Sequence, residues 1–162
     1  VLVGADAATP APGVIEAILG ADIVLLPPSN PVVSIGTILQ VPGIRDAVRA
    51  TRAPVVGVSP IIGGAPVRGM ADACLSALGI ETSAAAVARH YGARRAASGA
   101  DAEGLLDGWL VDDRQDADVV SGLTALGITT RAVPLLMSDA DSAAALAGAA
   151  VDLALDLAGA RT

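Results

Sequence analysis

IVLLPPSNPVVSIG, residues 23–36, opens as a strand and closes as a helix. The run 23–26 is apolar at every position, the pattern of a strand buried on both faces of a parallel sheet. Pro27 and Pro28 end it, because a proline has no N–H to give to a ladder. Ser29, Asn30 and Ser34 then follow within six positions, and a helix is expected from about Val33 or Ser34.

Three further β-prone runs, 54–58, 109–111 and 128–133, are bounded by turn residues. Helical stretches lie between them. They are 12–19, with Pro12 in the first turn; 44–51, with Arg45, Arg49 and Arg52 on the exposed side; 68–78, stopped by Gly79; and the alanine-rich 83–91. A loose Gly/Ala/Ser stretch then runs to about Gly104. Asp116 is expected to cap a helix over 116–126, and a last helix begins at 139–142 and continues through LAGAAVDLALDLAGA. Strands alternating with helices predict an α/β fold, a Rossmann-like three-layer sheet, mostly parallel. The 162 residues suffice for one domain. Because the chain starts inside an apolar VLV run, the sheet is expected to be incomplete at its amino end.

The formal charge of −7 is reached with ten arginines and no lysine, beside one His, one Trp, one Tyr and no Phe. That argues against a nucleic-acid surface, which wants basic patches and stacking aromatics. No apolar run approaches the roughly 20 residues of a membrane span. Residues 1–20 hold Asp6 and Glu16 and no Lys or Arg, unlike a secretory leader, so a cytoplasmic setting is the default expectation. Cys74 is the only cysteine, which leaves no intrachain disulfide and no cysteine metal cluster. A chain this acidic must hold a phosphate by local devices: backbone N–H groups, helix N-termini, single arginines or a divalent cation.

Two loops offer such devices at the carboxyl ends of strands, where ligands bind in open α/β sheets. In the first, Pro27, Pro28 and Pro31 restrict the backbone, and Ser29, Asn30 and Ser34 donate hydrogen bonds without adding charge. Free N–H groups at Ile35 and Gly36 are expected to complete a helix-terminus anion site. In the second, VVGVSPIIGGAPVRG, Ser59 ends the strand, Gly63 and Gly64 allow close backbone approach, and Arg68 can give a bidentate contact. Each loop alone also reads as a turn with a helix cap; two in succession make a cleft.

PSNPVVSIGTILQVPGIRDAV followed by VVGVSPIIGGAPVRGMAD resembles the 2-phospho-L-lactate transferase family, in particular its actinobacterial phosphoenolpyruvate transferase branch. The similarity continues through SAAAVARHYG, GWLVDDRQDAD and VPLLMSDADSAAALA. The resemblance implies an enzyme that moves a phosphoenolpyruvyl or 2-phospho-L-lactyl group from a guanylyl-activated donor to a deazariboflavin, the precursor of coenzyme F(420), and releases GMP. It implies magnesium and a homodimer. Such enzymes run to about twice this length, and the Gly-Gly-Thr-Gly-Gly loop and metal-holding acidic residues of their amino-terminal half are absent here, so residues 1–162 are expected to be the carboxyl-terminal half, inactive alone. On this resemblance Asn30 and Ser34 are assigned to catalysis. Ser29, Pro31, Ile35, Gly36, Ser59, Gly63, Gly64 and Arg68 are assigned to substrate binding, and the magnesium ligands to the missing half. Ala65, Arg68 and Met70 stand where the family usually has Lys, Lys and Pro, which shifts the electrostatic role onto Arg68. The alternative is a nucleotide or nucleotide-sugar-binding regulator of the gluconeogenesis-factor-like group, which ends the equivalent strand with a different, glycine-richer loop.

Other residues have plainer expectations. His90, at a helix end, is read as meeting the helix dipole. Asp112 and Asp113 could face the cleft or a metal, or cap the next helix with Asp116. Cys74 and Trp109 read as packing residues, and Asp152 and Asp156, at i and i+4, as the solvated side of a helix.

Overall fold

The computed structural model describes residues 3–4, 7–95 and 102–160. In chain order these form helix α1 (Val14–Leu19), strand β1 (Val24–Leu26), a π-helical turn (Pro31–Ile35), α2 (Gly36–Gln40) and α3 (Ile44–Ala50). Strand β2 (Val55–Val58) then leads into a hairpin of β3 (Ile61–Ile62) and β4 (Ala65–Pro66), followed by α4 (Ala71–Ala77) and α5 (Ala84–Tyr91). The chain closes with β5 (Gly108–Asp112), a 3-10 turn (Ala117–Val119), α6 (Val120–Thr124), β6 (Thr129–Val133) and α7 (Ala140–Gly159).

The sheet is parallel throughout, in the order β1-β2-β5-β6. All four residues of β2 and all five of β5 are buried, as continuous apolar runs covered on both faces must be. Alternation then sorts the side chains. Val55, Trp109 and Val111 enter one core with Leu26 of β1 and with Leu39, Val48, Leu75, Val87 and Leu123 from the helical layer. Val56, Val58 and Leu110 enter a second with Leu146, Ala150 and Leu153 of α7. The three-layer α/β expectation holds.

Several boundaries move. The helix expected over 68–78 begins at Ala71, so Arg68 lies in a loop and not at a helix start. The expected first-loop helix is instead a π-helical turn joined to α2. The hairpin was not expected at all. Asp116 does not cap the following helix, since its side chain makes no capping bond there. The expectation that no stretch approaches a membrane span is corrected by α7, which has the length and composition of one, with a mean hydropathy of 1.4. One side of α7 is buried on the sheet, and Asp141, Asp152 and Asp156 are exposed. Asp156 pairs with Arg131 at 2.7 Å, and Asp139 and Ser142 close a capping box at the helix start.

Part of the stretch expected to be loose is tightly tied, and 96–101 lies outside the described residues. Arg94 is buried and meets Asp107 at 2.6 Å. Its guanidinium also donates to the carbonyls of Val48, Thr51 and Ala53, at 3.3, 2.8 and 2.8 Å. Asp107 in turn accepts from Val55 N–H at 2.9 Å. This clasp joins the end of α3 to the starts of β2 and β5, at the opposite edge from the strand-end loops.

Candidate functional site

The first loop is built by one side chain. Asn30 Oδ1 accepts from the N–H groups of Val32 and Val33, at 2.9 and 3.1 Å. The Asn30 carbonyl accepts from Ser34 and Ile35, and Gly36 N–H reaches the Pro31 carbonyl. Every amide from Val32 to Gly36 is therefore spent inside the turn. The expected free N–H groups at Ile35 and Gly36 do not exist, because the helical turn begins at Pro31 instead of at Val33 or Ser34 and so places both amides inside it. Pro31 and Ile35 are core residues, and Gly36 is required for close approach: a Cβ there would stand 2.7 Å from the Pro31 oxygen. The donors left are side chains. Asn30 Nδ2 points one hydrogen at Cys74 Sγ, 3.5 Å away, so the half-buried Cys74 touches the site from below.

The second loop is a hairpin whose two-residue turn, Gly63 and Gly64, has φ of +56° and +80°, a conformation nearly closed to residues with a Cβ. Ser59, 2% exposed, anchors its base: the hydroxyl donates to the Ile61 carbonyl at 2.8 Å and accepts from Ile61 N–H at 3.1 Å. Its proton is thus committed to the backbone. Asp116 anchors the tip, accepting from Gly63 N–H at 3.1 Å.

A cavity of about 380 Å³ opens between the loops, and Asn30, Ser59, Arg68 and Met137 are among its walls. The structure thus brings Asn30, Ser59 and Arg68 together. Ser29, Pro31, Ser34, Ile35, Gly36, Gly63 and Gly64 do not line this space. A neighbouring cavity of about 440 Å³ has Asp113, Arg114 and Gln115 on its walls. Ile62, Val67 and Leu136 border both cavities. These apolar partitions and the 135–137 segment went unnoticed in the sequence, where only their position after a strand marked them.

Asp112 and Asp113 divide their tasks. Asp112 Oδ1 accepts from the N–H groups of Arg114 and Gln115, both at 3.1 Å, which folds the turn after β5. Asp113 is exposed at the cavity wall. Burial raises the Asp116 pKa against the lowering effect of the Gly63 N–H, and Asp112 and Asp118 raise it further. A carboxyl raised in the native state stabilises the fold below its ordinary range and loses that contribution as pH rises through the raised value. Asp116→Asn is accordingly expected to be more stable than the parent at neutral pH, with the difference closing on acidification, as denaturant unfolding at several pH values will register.

Burial and the Arg45 charge lower the His90 pKa, the opposite of what the expected dipole contact would do. Trp109 is fully buried and meets Tyr91 edge-on at 6.0 Å, so no ligand stacks on it. Among the described residues no three His, Cys, Asp or Glu side chains group to hold a metal.

The double role of Asn30 separates by substitution. Asn30→Asp keeps the oxygen that caps the turn, whereas Asn30→Ala removes it and is expected to cost about 1 kcal/mol of stability, as lost caps do. Urea midpoints of the two variants give the comparison.

A parallel α/β sheet with two loops and an Asn/Arg-lined cavity at the carboxyl ends of its strands has the layout of a Rossmann-like ligand-binding domain. The family described as 2-phospho-L-lactate transferase CofD matches residues 1–131, and the chain belongs to that family. It is 65% identical over 157 residues to a protein of Thermobifida fusca, covering 97% of this chain and 44% of that protein. Against a Streptomyces griseus protein it is 60% identical over 152 residues, 94% of this chain and 44% of the relative. A Mycolicibacterium smegmatis protein is 55% identical over 152 residues, 94% and 43% of the two chains. All three are named phosphoenolpyruvate transferase. The chain spans less than half the length of these relatives.

Proposed function

We propose that these residues form the carboxyl-terminal part of a transferase that moves a phosphoenolpyruvyl group, or a 2-phospho-L-lactyl group, from a guanylyl-activated donor to the deazariboflavin precursor of coenzyme F(420). The acceptor hydroxyl attacks the phosphorus bearing the enolpyruvyl group. A new P–O bond forms, the P–O bond to the guanylyl phosphate breaks, GMP leaves with the bonding pair, and the hydroxyl proton passes to solvent or a base. Such a step asks for alignment and for charge stabilisation on the non-bridging oxygens. The names of the relatives favour phosphoenolpyruvate as the donor acid.

One observation carries the reading: Asn30 and Arg68 come from different loops and line the same cavity. Arg68 supplies the planar donor fork for a phosphate or carboxylate. Asn30 supplies the second Nδ2 hydrogen, and Ser29 and Ser34, which do not line the cavity, are kept as donors of the first loop on the resemblance. Pro31, Ile35 and Gly36 shape the first loop, as Ser59, Gly63 and Gly64 shape the second. Magnesium, when bound, supplies charge neutralisation at the phosphates; no ligand set for it occurs among the described residues, and the reading assigns its ligands to the rest of the enzyme. The enzyme is taken as a homodimer on the resemblance alone, and a cytoplasmic setting is kept as the default expectation.

The test is a chimera in which this chain replaces the matching segment of the Thermobifida fusca protein, assayed for GMP release and the phosphoenolpyruvyl product. Arg68→Ala is expected to slow turnover about tenfold or more, the scale of a lost charged hydrogen bond, and Arg68→Lys to restore part of it. Parent-like turnover by Arg68→Ala would remove Arg68 from the site.

A further inference from the structure

We infer that Asp116 is a positioning residue of the cleft: its buried carboxylate holds the Gly63–Gly64 turn in place, and through it the hairpin that leads to Arg68. The inference rests on the reading of Arg68 as a donor-contacting residue.

The hairpin pairs only Ile61 with Pro66 and Ile62 with Ala65. Two pairs cannot fix a hairpin by themselves, since even longer isolated hairpins are marginal in water. Its position must come from anchors. Ser59 supplies the one at the base. At the tip, Asp116 reaches across 53 residues of sequence to Gly63 N–H. Gln115, its chain neighbour, packs where a Gly63 Cβ would be, with Cδ at 2.8 Å from that point. Arg68 follows two residues after β4 and no ion pair holds it among the described residues, so its place in the cavity follows the hairpin. Ile62 and Val67 belong to the walls of both cavities, and a displaced hairpin would reshape the two together.

The carboxylate is costly where it stands. Asp116 is 6% exposed, with Asp112 of β5 and Asp118 of the 3-10 turn as its charged neighbours, and it does no helix capping in return. What it supplies is an acceptor for Gly63 N–H across 53 residues of sequence.

The experiment uses the 162-residue chain and its Asp116→Ala and Asp116→Asn variants, with NMR signals from the Gly63 and Arg68 amides. Asp116→Ala is expected to speed Gly63 amide exchange about tenfold, as loss of one hydrogen bond allows, and to shift the Arg68 amide. Asp116→Asn keeps an acceptor oxygen and is expected to match the parent in both signals. Unchanged Gly63 protection in Asp116→Ala, or a freed Gly63 with an unmoved Arg68 amide, overturns the inference. So does an Asn variant as disturbed as the Ala one. A parallel titration of the chimera with the guanylyl-activated phosphoenolpyruvyl donor tests the reading beneath it: weaker binding by Asp116→Ala, with no further loss when Arg68→Ala is added, supports both. A chimera that takes up no guanylyl-activated donor, while both amides respond as expected, overturns the donor reading and leaves the positioning role standing.

Discussion

Arg94→Ala is expected to cost about 3–5 kcal/mol of folding stability, the range for removing one partner of a buried ion pair. The arginine's ties include the Asp107 carboxylate and the carbonyls of Val48, Thr51 and Ala53. Truncation removes the 2.6 Å ion pair from a buried carboxylate and takes this donor from three carbonyls. In a domain of this size the loss corresponds to a drop in Tm of roughly 6–20 °C. Asp107→Asn keeps an acceptor for Val55 N–H and for the guanidinium, so it should lose less. Thermal and urea unfolding of the two variants provide the comparison, and a loss under about 1 kcal/mol for Arg94→Ala would mean that the clasp does not hold the strand starts together.

Gly57→Ala is expected to cost about 1–3 kcal/mol, as overpacking of a close-fitted core does. Gly57 sits in the middle of β2, and an added Cβ would stand 2.6 and 2.7 Å from ring atoms of Trp109 and 3.1 Å from Leu106 Cδ2. The indole is fully buried and cannot swing out; it must tip against Tyr91, its edge-on neighbour. Trp109 is the only tryptophan, so fluorescence reports the movement directly. Its Nε1 has no hydrogen-bond partner, and a tipped ring that admits water should emit at longer wavelength. Adding Trp109→Leu to Gly57→Ala should cost less than the sum of the two single changes, since both act on one contact. Unaltered emission and stability would show that the strand absorbs the methyl group without strain.

The strands could be read from the sequence because burial on both faces leaves a local mark: Val55–Val58 is apolar throughout and ends at Ser59 and Pro60. The first loop could be located but its hydrogen bonding could not. Whether Ile35 and Gly36 keep free amides depends on where the helical turn begins, and composition carries no sign that it begins at Pro31, ahead of the expected Val33 or Ser34. The hairpin escaped for a different reason: strands of two residues are too short to show a period. Asp116 looked like a helix cap because caps are decided by near neighbours, whereas its partner Gly63 is 53 residues away. Arg94 and Asp107 lay on either side of an apparently loose stretch, and only their burial reveals them as a pair. Arg68 was found through its place after the glycine turn, though the helix expected to begin there starts three residues further on.

The π-helical turn has a consequence for how this segment can change length. Its hydrogen bonds run from Asn30 to Ile35 and from Pro31 to Gly36, one residue longer than an α-helical spacing, so the turn amounts to a single surplus residue lodged between a proline and a glycine. Deleting the exposed Val33 would let the same ends close as an ordinary α-helical turn. α2 would remain helical, while the residues between Asn30 and Gly36 would be rotated relative to the cavity by about 100°, the angle one residue occupies on a helix of 3.6 per turn. In any comparison of relatives, an insertion or deletion between these two residues marks a chain whose first loop presents different side chains to the cleft, however similar the flanking sequence.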